Sequence, residues 1–308
     1  MTSHTAKLTP EQAEALRGIL AKRDFESAEV PHAVFSYKRP KLAITWYKSG
    51  KLLIQGKGTQ EFVEFTLEPE LLGQAAFADA LDAQPEQLEP RLGVDESGKG
   101  DFFGPLVVAG VYVNEPVARA LDGLGVKDSK AIASDKKIAA LAKGIRDMPG
   151  CVYSVVPIGN ASYNRLHQKM RNVNKILAWG HARVIENLLG QRDRMNPAPL
   201  RAISDQFARS KATIQSALME EGRQLKLVQM HKAESDIAVA AASILARDLF
   251  VQRLSALGRE FDLELPKGAS SKVDAAGAAF LKKHGMDKLG QAAKLHFRTT
   301  QKIQAGLL

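Results

Sequence analysis

The sequence predicts an α/β protein whose larger, C-terminal part is a sheet with parallel members and helices, preceded by a small α+β module. Three observations carry this. From about residue 92 onward, strand-length apolar runs alternate with helical periodicity, the pattern of an α/β sheet with parallel members. Before residue 83, one capped helix is followed by several short strand-like runs separated by turns. Between the two, Ala83 to Arg91 has two prolines and no apolar periodicity, the composition of a linker. The expected domains are therefore residues 1–88 and 89–308.

In the first part, Thr9-Pro10-Glu11-Gln12 opens a helix. Thr9 is the N-cap, Pro10 suits the first turn, and Gln12 stands three residues after the cap. Leu16, Ile19 and Leu20 give that helix an apolar face. Extended segments are expected at 33–38, 41–48 and 51–55, with a Lys48-Ser49-Gly50-Lys51 turn between the last two. The segment 61–67 and a second helix near 69–82 complete the module.

In the second part, the apolar run Leu106 to Val113 reads as a buried strand. A polar turn at 125–130 leads to a helix capped by Ser134, and Cys151 to Ile158 is a further strand. A helix is expected from Val173 to Leu189. Then come a strand at 200–207, a helix at 210–221, a strand at 225–230, and a long Ala-rich helix from Ser235 to Leu257 with Ser235 as its cap.

Composition narrows the class. The chain has 308 residues, 45% hydrophobic and 25% charged, as in ordinary globular proteins. No apolar run approaches the roughly 20 residues needed to span a bilayer, and the first residues lack the apolar core of a secretion signal. The single cysteine, Cys151, excludes an internal disulfide and suits a reducing compartment. A monomer in the cytoplasm is the expectation.

The formal net charge is +9, unevenly spread. Residues 1–90 carry 10 basic and 13 acidic side chains, whereas residues 91–308 carry 33 and 21. Val30 to Gln60 nevertheless has six Lys or Arg and no acid, and from Pro266 onward there are eight basic residues against two acidic. Such local excesses suit a polyanionic partner bound through its phosphates.

The stretch Gly93 to Leu106 concentrates the chemistry. Asp95 and Glu96 are adjacent carboxylates suited to a hard divalent cation, which takes oxygen ligands. Gly98 and Gly100 flank Lys99 and let the backbone come close to a ligand. The spacing Gly93-x-x-x-x-Gly98-Lys99 imitates a nucleotide-binding P-loop. It fails because Gly100 stands where that loop needs a Ser or Thr hydroxyl, and because Asp95 and Glu96 would repel phosphates.

Val94-Asp95-Glu96-Ser97-Gly98-Lys99-Gly100-Asp101 followed by Phe103-Gly104-Pro105-Leu106 resembles the signature of the type 2 ribonucleases H, and its Ser-Gly-Lys-Gly-Asp version is similar to the ribonuclease HIII branch. Leu265 to Asp274 is similar to that branch as well. Ala43 to Gly56 resembles its N-terminal domain, which has a fold like the TATA-binding protein. The resemblance implies a ribonuclease H-like mixed sheet flanked by helices and a magnesium-dependent endonuclease, manganese being a possible substitute. Such an enzyme hydrolyses RNA in RNA–DNA hybrids with two metal ions, leaving 3′-hydroxyl and 5′-phosphate ends. One ion activates the attacking water and the other stabilises the leaving oxygen, about 3.5–4 Å apart.

That chemistry needs three or four acids converging from different elements. Asp95 and Glu96 are the first two. The resemblance implies Asp205, at the carboxyl end of an expected strand, as the third. It implies Glu234 as the fourth, because the family's last acid follows a Lys-x pair, here Lys232-Ala233. Asp236 is the alternative at that place. Acids at a helix start are kept ionised by the macrodipole.

For the substrate, the resemblance implies backbone contacts from Gly98, Lys99 and Gly100, with Ser97 beside them, to the 2′-hydroxyl that distinguishes RNA from DNA. Asn172 and Asn174 are candidates for the DNA strand. In the first domain Lys38, Tyr47, Lys51 and Lys57, together with Lys41, Lys48 and Gln55, would lie along a nucleic-acid backbone without reading bases. His231, His284 and His296 lack metal-ligand spacing and read as surface or packing residues. The junction-cutting ribonuclease HII branch is the near alternative, set aside because of Gly98-Lys99-Gly100 and because no tyrosine follows Tyr163. Weak cleavage at single embedded ribonucleotides is therefore expected. A basic scaffold that binds hybrids without cutting them is the non-enzymatic alternative, disfavoured because four uncompensated acids would repel nucleic acid.

Overall fold

The computed structural model describes residues 3–63, 66–67, 88–127, 129, 132–205, 212–230 and 233–306. They fall into two units, Met1–Gln84 and Pro85–Leu308.

In the first unit, strand β1 (Ser3–Lys7) leads into helix α1 (Pro10–Ala21), followed by β2 (Glu26–Ser27), β3 (Ala33–Arg39), β4 (Leu42–Tyr47) and β5 (Lys51–Gln55). The strands pair antiparallel in the order β1-β5-β4-β3-β2. The capping box is present: the Thr9 hydroxyl accepts from the Gln12 amide, and the Gln12 side chain accepts from the Thr9 amide. Alternation along the strands puts Ile44, Leu52 and Ile54 against Leu16 and Leu20 of α1, and this contact is the unit's core. Lys38, Tyr47, Lys51 and Gln55 occupy the alternate register positions, on the other face.

Two strands escape sequence reading here. β1 is a run of small and polar residues whose extended form comes from pairing with β5, Ser3 opposite Gln55 through Lys7 opposite Lys51. β2 is only two residues. The segment expected at 61–67 is entered through a helical turn, Thr59–Phe62. The helix expected at 69–82 lies outside the described residues, as does the linker up to residue 87.

The second unit runs β6 (Arg91–Ser97), β7 (Leu106–Val113), α2 (Glu115–Gly123), α3 (Asp135–Asp147), β8 (Val152–Ile158), α4 (Asn160–Met170) and α5 (Val173–Leu189). It continues with β9 (Arg201–Asp205), β10 (Lys226–Met230), α6 (Ile237–Glu260), α7 (Ser271–Ala292, kinked at Gly285) and α8 (Arg298–Gln304). Its sheet has the order β10-β9-β6-β7-β8. β6, β7 and β8 are antiparallel neighbours, while β6, β9 and β10 run parallel. The sheet is mixed, as expected.

Helices cover both faces. On one, Val107, Ala109, Val111 and Val113 pack with Ala238, Ala241, Ala242 and Leu245 of α6. On the other, Leu92, Val94, Val108 and Tyr112 pack with Ala178, Ala182, Val184 and Ile185 of α5. Being covered on both sides, β7 is buried at every position, which is why it reads as an unbroken apolar run. The alanines of α6 let its backbone lie almost on the strand: a Cβ added at Gly93 would sit 2.2 Å from the Ala238 carbonyl carbon and 2.3 Å from the Val239 nitrogen.

Several expected boundaries are corrected. The cap of α6 is Asp236, whose Oδ1 accepts from the Ala238 and Val239 amides; Ser235 lies instead in a 3₁₀ turn, Ala233–Ser235. Within 210–221 the described helix is a single turn, Ala212–Gln215, and within 200–207 the described strand is Arg201–Asp205; residues 206–211 lie outside the described residues. Helices α4, α7 and α8 had no clear sequence signal; α4 buries only Asn160 and Tyr163. No helix among the described residues is long and apolar enough to cross a membrane.

Gly93→Ala should lower stability by about 3 kcal/mol or more, because both close neighbours are backbone atoms that cannot rotate aside. Thermal unfolding of the variant checks this, and an unchanged midpoint would contradict it.

Candidate active site

The site forms where parallel strands end together. β6 carries Asp95, Glu96 and Ser97 as its last three residues, and β9 ends in Asp205. The paired register runs from Arg91 opposite Arg201 to Val94 opposite Ser204. One step further places Asp95 level with Asp205 on strands about 4.8 Å apart. This is the carboxyl edge of the parallel strands, where open α/β sheets receive ligands. Asp95, Glu96 and Asp205 together line a cleft of about 440 Å³, with Ser97 to Asp101 along one wall and Ser129, Arg247 and Lys267 on another.

Each of the first two acids is held by identifiable partners. Asp95 Oδ1 accepts from the Glu96 amide at 2.8 Å. Glu96 Oε2 lies 3.0 Å from His181 Nε2, and its Oε1 lies 3.6 Å from Lys99 Nζ. His181 comes from α5 and is fully buried; its Nδ1 is 3.0 Å from the hydroxyl of Ser204, the residue before Asp205. The sequence reading missed His181. Its only signal is a histidine on the otherwise apolar face of Val173–Leu189, which looks the same as a packed core residue.

Glu234 sits half-buried in the 3₁₀ turn after β10, beside the end of β9, but it is not part of the cleft wall. Asp236 is buried, with Oδ1 capping α6 and Oδ2 accepting from Arg91 Nε at 2.7 Å. Both of its oxygens therefore serve the fold. Arg91 is the first residue of β6, so this ion pair fixes the Glu234 turn against the strand that carries Asp95 and Glu96. His231 and Lys232 lie outside the described residues, as do Asp128 and Lys130 of the polar turn at 125–130.

The wall from Gly98 to Pro105 is tied down from three sides. Gly98 has φ +88°, and a Cβ there would lie 2.2 Å from the Pro105 carbonyl oxygen, so the turn requires glycine. Asp101 Oδ1 accepts from the Gly268 amide at 2.6 Å, and the Phe102 amide donates to the Gly268 carbonyl. Asn160 Nδ2 donates to the Gly104 carbonyl. Fully buried Lys294 donates from Nζ to the carbonyls of Asp101 at 2.9 Å and Gly104 at 2.6 Å. Burial pulls the Lys294 ammonium down to about 7, against the opposing pull of the Asp101 charge.

The remaining candidates are dispersed. Asn172 caps α5, its Oδ1 accepting from the Asn174 amide at 2.8 Å, and neither asparagine lines the cleft. In the first unit Lys38 and Lys51 are exposed and Tyr47 half-buried on the sheet face away from α1; Lys57 is exposed just after β5. His284 bonds the Phe261 carbonyl, and His296 stacks on His167. Burial pushes the Cys151 thiol up to about 12, which leaves it no role as a nucleophile. A larger recess of about 850 Å³ adjoins the cleft, but its Asp135 is paired with Arg247 and Lys267 and its Asp262 with Lys283.

Among the described residues no group of three His, Cys, Asp or Glu side chains stands close enough together to hold a metal ion by itself. The acids instead line an open cleft with oxygen donors only. That fits a hard, hydrated cation such as magnesium, which keeps several waters and is held by one or two carboxylates plus substrate phosphates. A thiolate or imidazole site for a softer metal is not what this cleft offers.

Residues 92–300 match the family model described as Ribonuclease HII, and residues 4–72 match one described as Domain of unknown function (DUF3378). The protein named Ribonuclease HIII from Chlamydia pneumoniae is 44% identical over 303 residues, 97% of either chain. The crystal structure of Bst-RNase HIII in complex with Mn2+ superposes with a TM-score of 0.64 at 32% identity, covering 99% of this chain and 98% of that one. Aquifex aeolicus RNase H3 gives a TM-score of 0.55 at 26% identity, covering 95% and 99%.

The Lys294 environment has a pH consequence. Its folded value near 7 lies below the ordinary 10.5, so between those values the unfolded chain binds the extra proton. This group's contribution to stability therefore rises as pH goes from about 7 toward 10. Denaturant unfolding of wild type and Lys294→Met at several pH values should show the difference moving in favour of wild type across that window; parallel pH curves would contradict it.

Proposed function

The chain belongs to the ribonuclease HIII family, and from that premise we propose which of its residues do the cutting. It is an endoribonuclease that cleaves the RNA strand of RNA–DNA hybrids with the help of a divalent cation. Asp95, Glu96, Asp205 and Glu234 hold the cations, with magnesium as the working metal and manganese able to replace it. The observation that carries this is the register of β6 with β9, which sets Asp95 level with Asp205 beside Glu96 at the mouth of one cleft. Glu234 is preferred to Asp236 as fourth acid because both Asp236 oxygens are engaged in the cap and the Arg91 pair.

Bound there, divalent cations would supply Lewis-acid stabilisation of the phosphoryl charge and an activated water, giving 3′-hydroxyl and 5′-phosphate ends. The chain's own residues position the substrate. Lys99, exposed on the cleft wall, neutralises a phosphate. At Gly100 an added Cβ would meet nothing within 4 Å, so no packing inside the chain demands a glycine there. That suits a partner from outside whose 2′-hydroxyl approaches the backbone of Gly98, Lys99 and Gly100, with Ser97 next to it. Asn174 and the amide nitrogen of Asn172 are the contacts proposed for the DNA strand.

Residues 89–308 are proposed as the catalytic domain. Residues 1–88 are proposed as a substrate-binding domain with a sheet like that of the TATA-binding protein. Lys38, Tyr47 and Lys51 on its outer face, with Lys57 beyond it, would follow the backbone without reading sequence. The protein is proposed to act as a monomer in the cytoplasm.

End-labelled RNA–DNA hybrid with magnesium tests the assignment. Asp95→Asn and Asp205→Asn should each lose about a thousandfold in cleavage, equivalent to roughly 4 kcal/mol of transition-state stabilisation. Glu234→Gln should lose cleavage activity at an unchanged melting temperature, and a duplex holding one ribonucleotide should be cut weakly. Retained cleavage in either aspartate variant would remove the assignment. In the full chain, Lys38→Ala with Lys51→Ala should weaken hybrid binding and reduce the salt slope by about one to two; an unchanged slope would remove the N-terminal sheet from the substrate path.

A further inference from the structure

We propose that His181 is a positioning residue for the cleavage reaction, fixing the Glu96 carboxylate and tying it to the strand end that carries Asp205. The proposal rests on Glu96 being a metal-holding acid, as inferred above. His181 does not itself line the cleft; it is fully buried and reaches the site through Glu96 and Ser204.

The geometry is that of a bridge. Nε2 is 3.0 Å from Glu96 Oε2 on β6, and Nδ1 is 3.0 Å from Ser204 Oγ on β9. An ionised carboxylate can only accept, so Nε2 carries a ring hydrogen toward Glu96, while Nδ1 pairs with the Ser204 hydroxyl. That hydroxyl has a second acceptor close by, the Asp205 carbonyl at 3.1 Å. The ring is carried by the long helix α5 and is fully buried there.

The chemical effect follows from which oxygen is taken. With Oε2 on His181, Oε1 is the oxygen on the side of Lys99 and the cleft. A glutamate has three rotatable bonds and, unheld, would spread over several rotamers; a buried donor at fixed distance selects one before any cation arrives. The same ring joins Glu96 on β6 to Ser204, the residue before Asp205, on β9, so the ends of the two strands keep their spacing as a unit. Hydrogen-bonding partners behind ligating groups typically matter by about 10–100-fold in metal affinity or activity.

The test compares His181→Leu, His181→Gln and Ser204→Ala, each assayed for Mn2+ binding by calorimetry without substrate and for kcat and KM on a hybrid. His181→Leu should lose about tenfold or more in Mn2+ affinity and in kcat, with KM for the hybrid unchanged. His181→Gln keeps an amide donor within reach of Glu96 and should recover most of both. Ser204→Ala, a small truncation that preserves the fold if His181→Leu does not, should fall between them. Mn2+ affinity and kcat within twofold of wild type in His181→Leu, or equal losses in the Leu and Gln variants at unchanged melting temperature, would overturn the proposal. Should His181→Leu fail to fold, Ser204→Ala indistinguishable from wild type would overturn it. A wild-type protein that binds Mn2+ but cuts no hybrid would count against the proposed function instead, and the Mn2+ arm would still read His181.

Discussion

Carboxylates gathered at one sheet edge repel one another, and the site depends on how that repulsion is offset. The parallel pairing of β6 with β9 brings Asp95, Glu96 and Asp205 to one mouth whether or not a cation is there. The offsets come from the chain. A backbone amide serves Asp95, and His181 and Lys99 serve Glu96. The nearby Asp236 is neutralised by Arg91 and by the start of α6. On the proposed assignment a divalent cation would complete the balance, so metal binding and the electrostatics of the cleft would be parts of one arrangement.

The glycine wall poses the opposite problem, since it needs bare backbone for close approach yet must not collapse. Its rigidity is borrowed from distant sequence: Gly268, Asn160 and the segment Ala292 to Lys294 all bond into Gly98–Pro105. The Lys294 ammonium is fully buried against two carbonyls to do so, in an apolar setting that costs it part of its basicity. The motif is read in a line of fourteen residues, but its shape is set by residues up to two hundred positions away.

Much of this was legible in sequence, and the limits have physical causes. β7 was legible because burial on both faces leaves an unbroken apolar run, and α5 because it is rich in Leu, Ile and Ala. Asp95, Glu96 and the glycines stood out as a dense motif. β1 was not legible because its residues are small and polar and only pairing with β5 makes them a strand. The α6 cap was misplaced by one residue, since Ser235 and Asp236 are both good caps and only the Arg91 partner, 145 positions away, favours Asp236. His181 was invisible for a similar reason: a buried histidine becomes informative only when its partners, Glu96 and Ser204, are seen on other elements.

The central claim is that the β6–β9 register places Asp95 and Asp205 to share a cation. A crystal of the protein soaked in manganese, with anomalous scattering recorded at the manganese edge, tests that claim directly. The account predicts a peak at the cleft mouth with a carboxylate oxygen from both Asp95 and Asp205 at roughly 2.1 Å. A manganese ion held by other residues, with Asp205 turned away from the cleft, would contradict it.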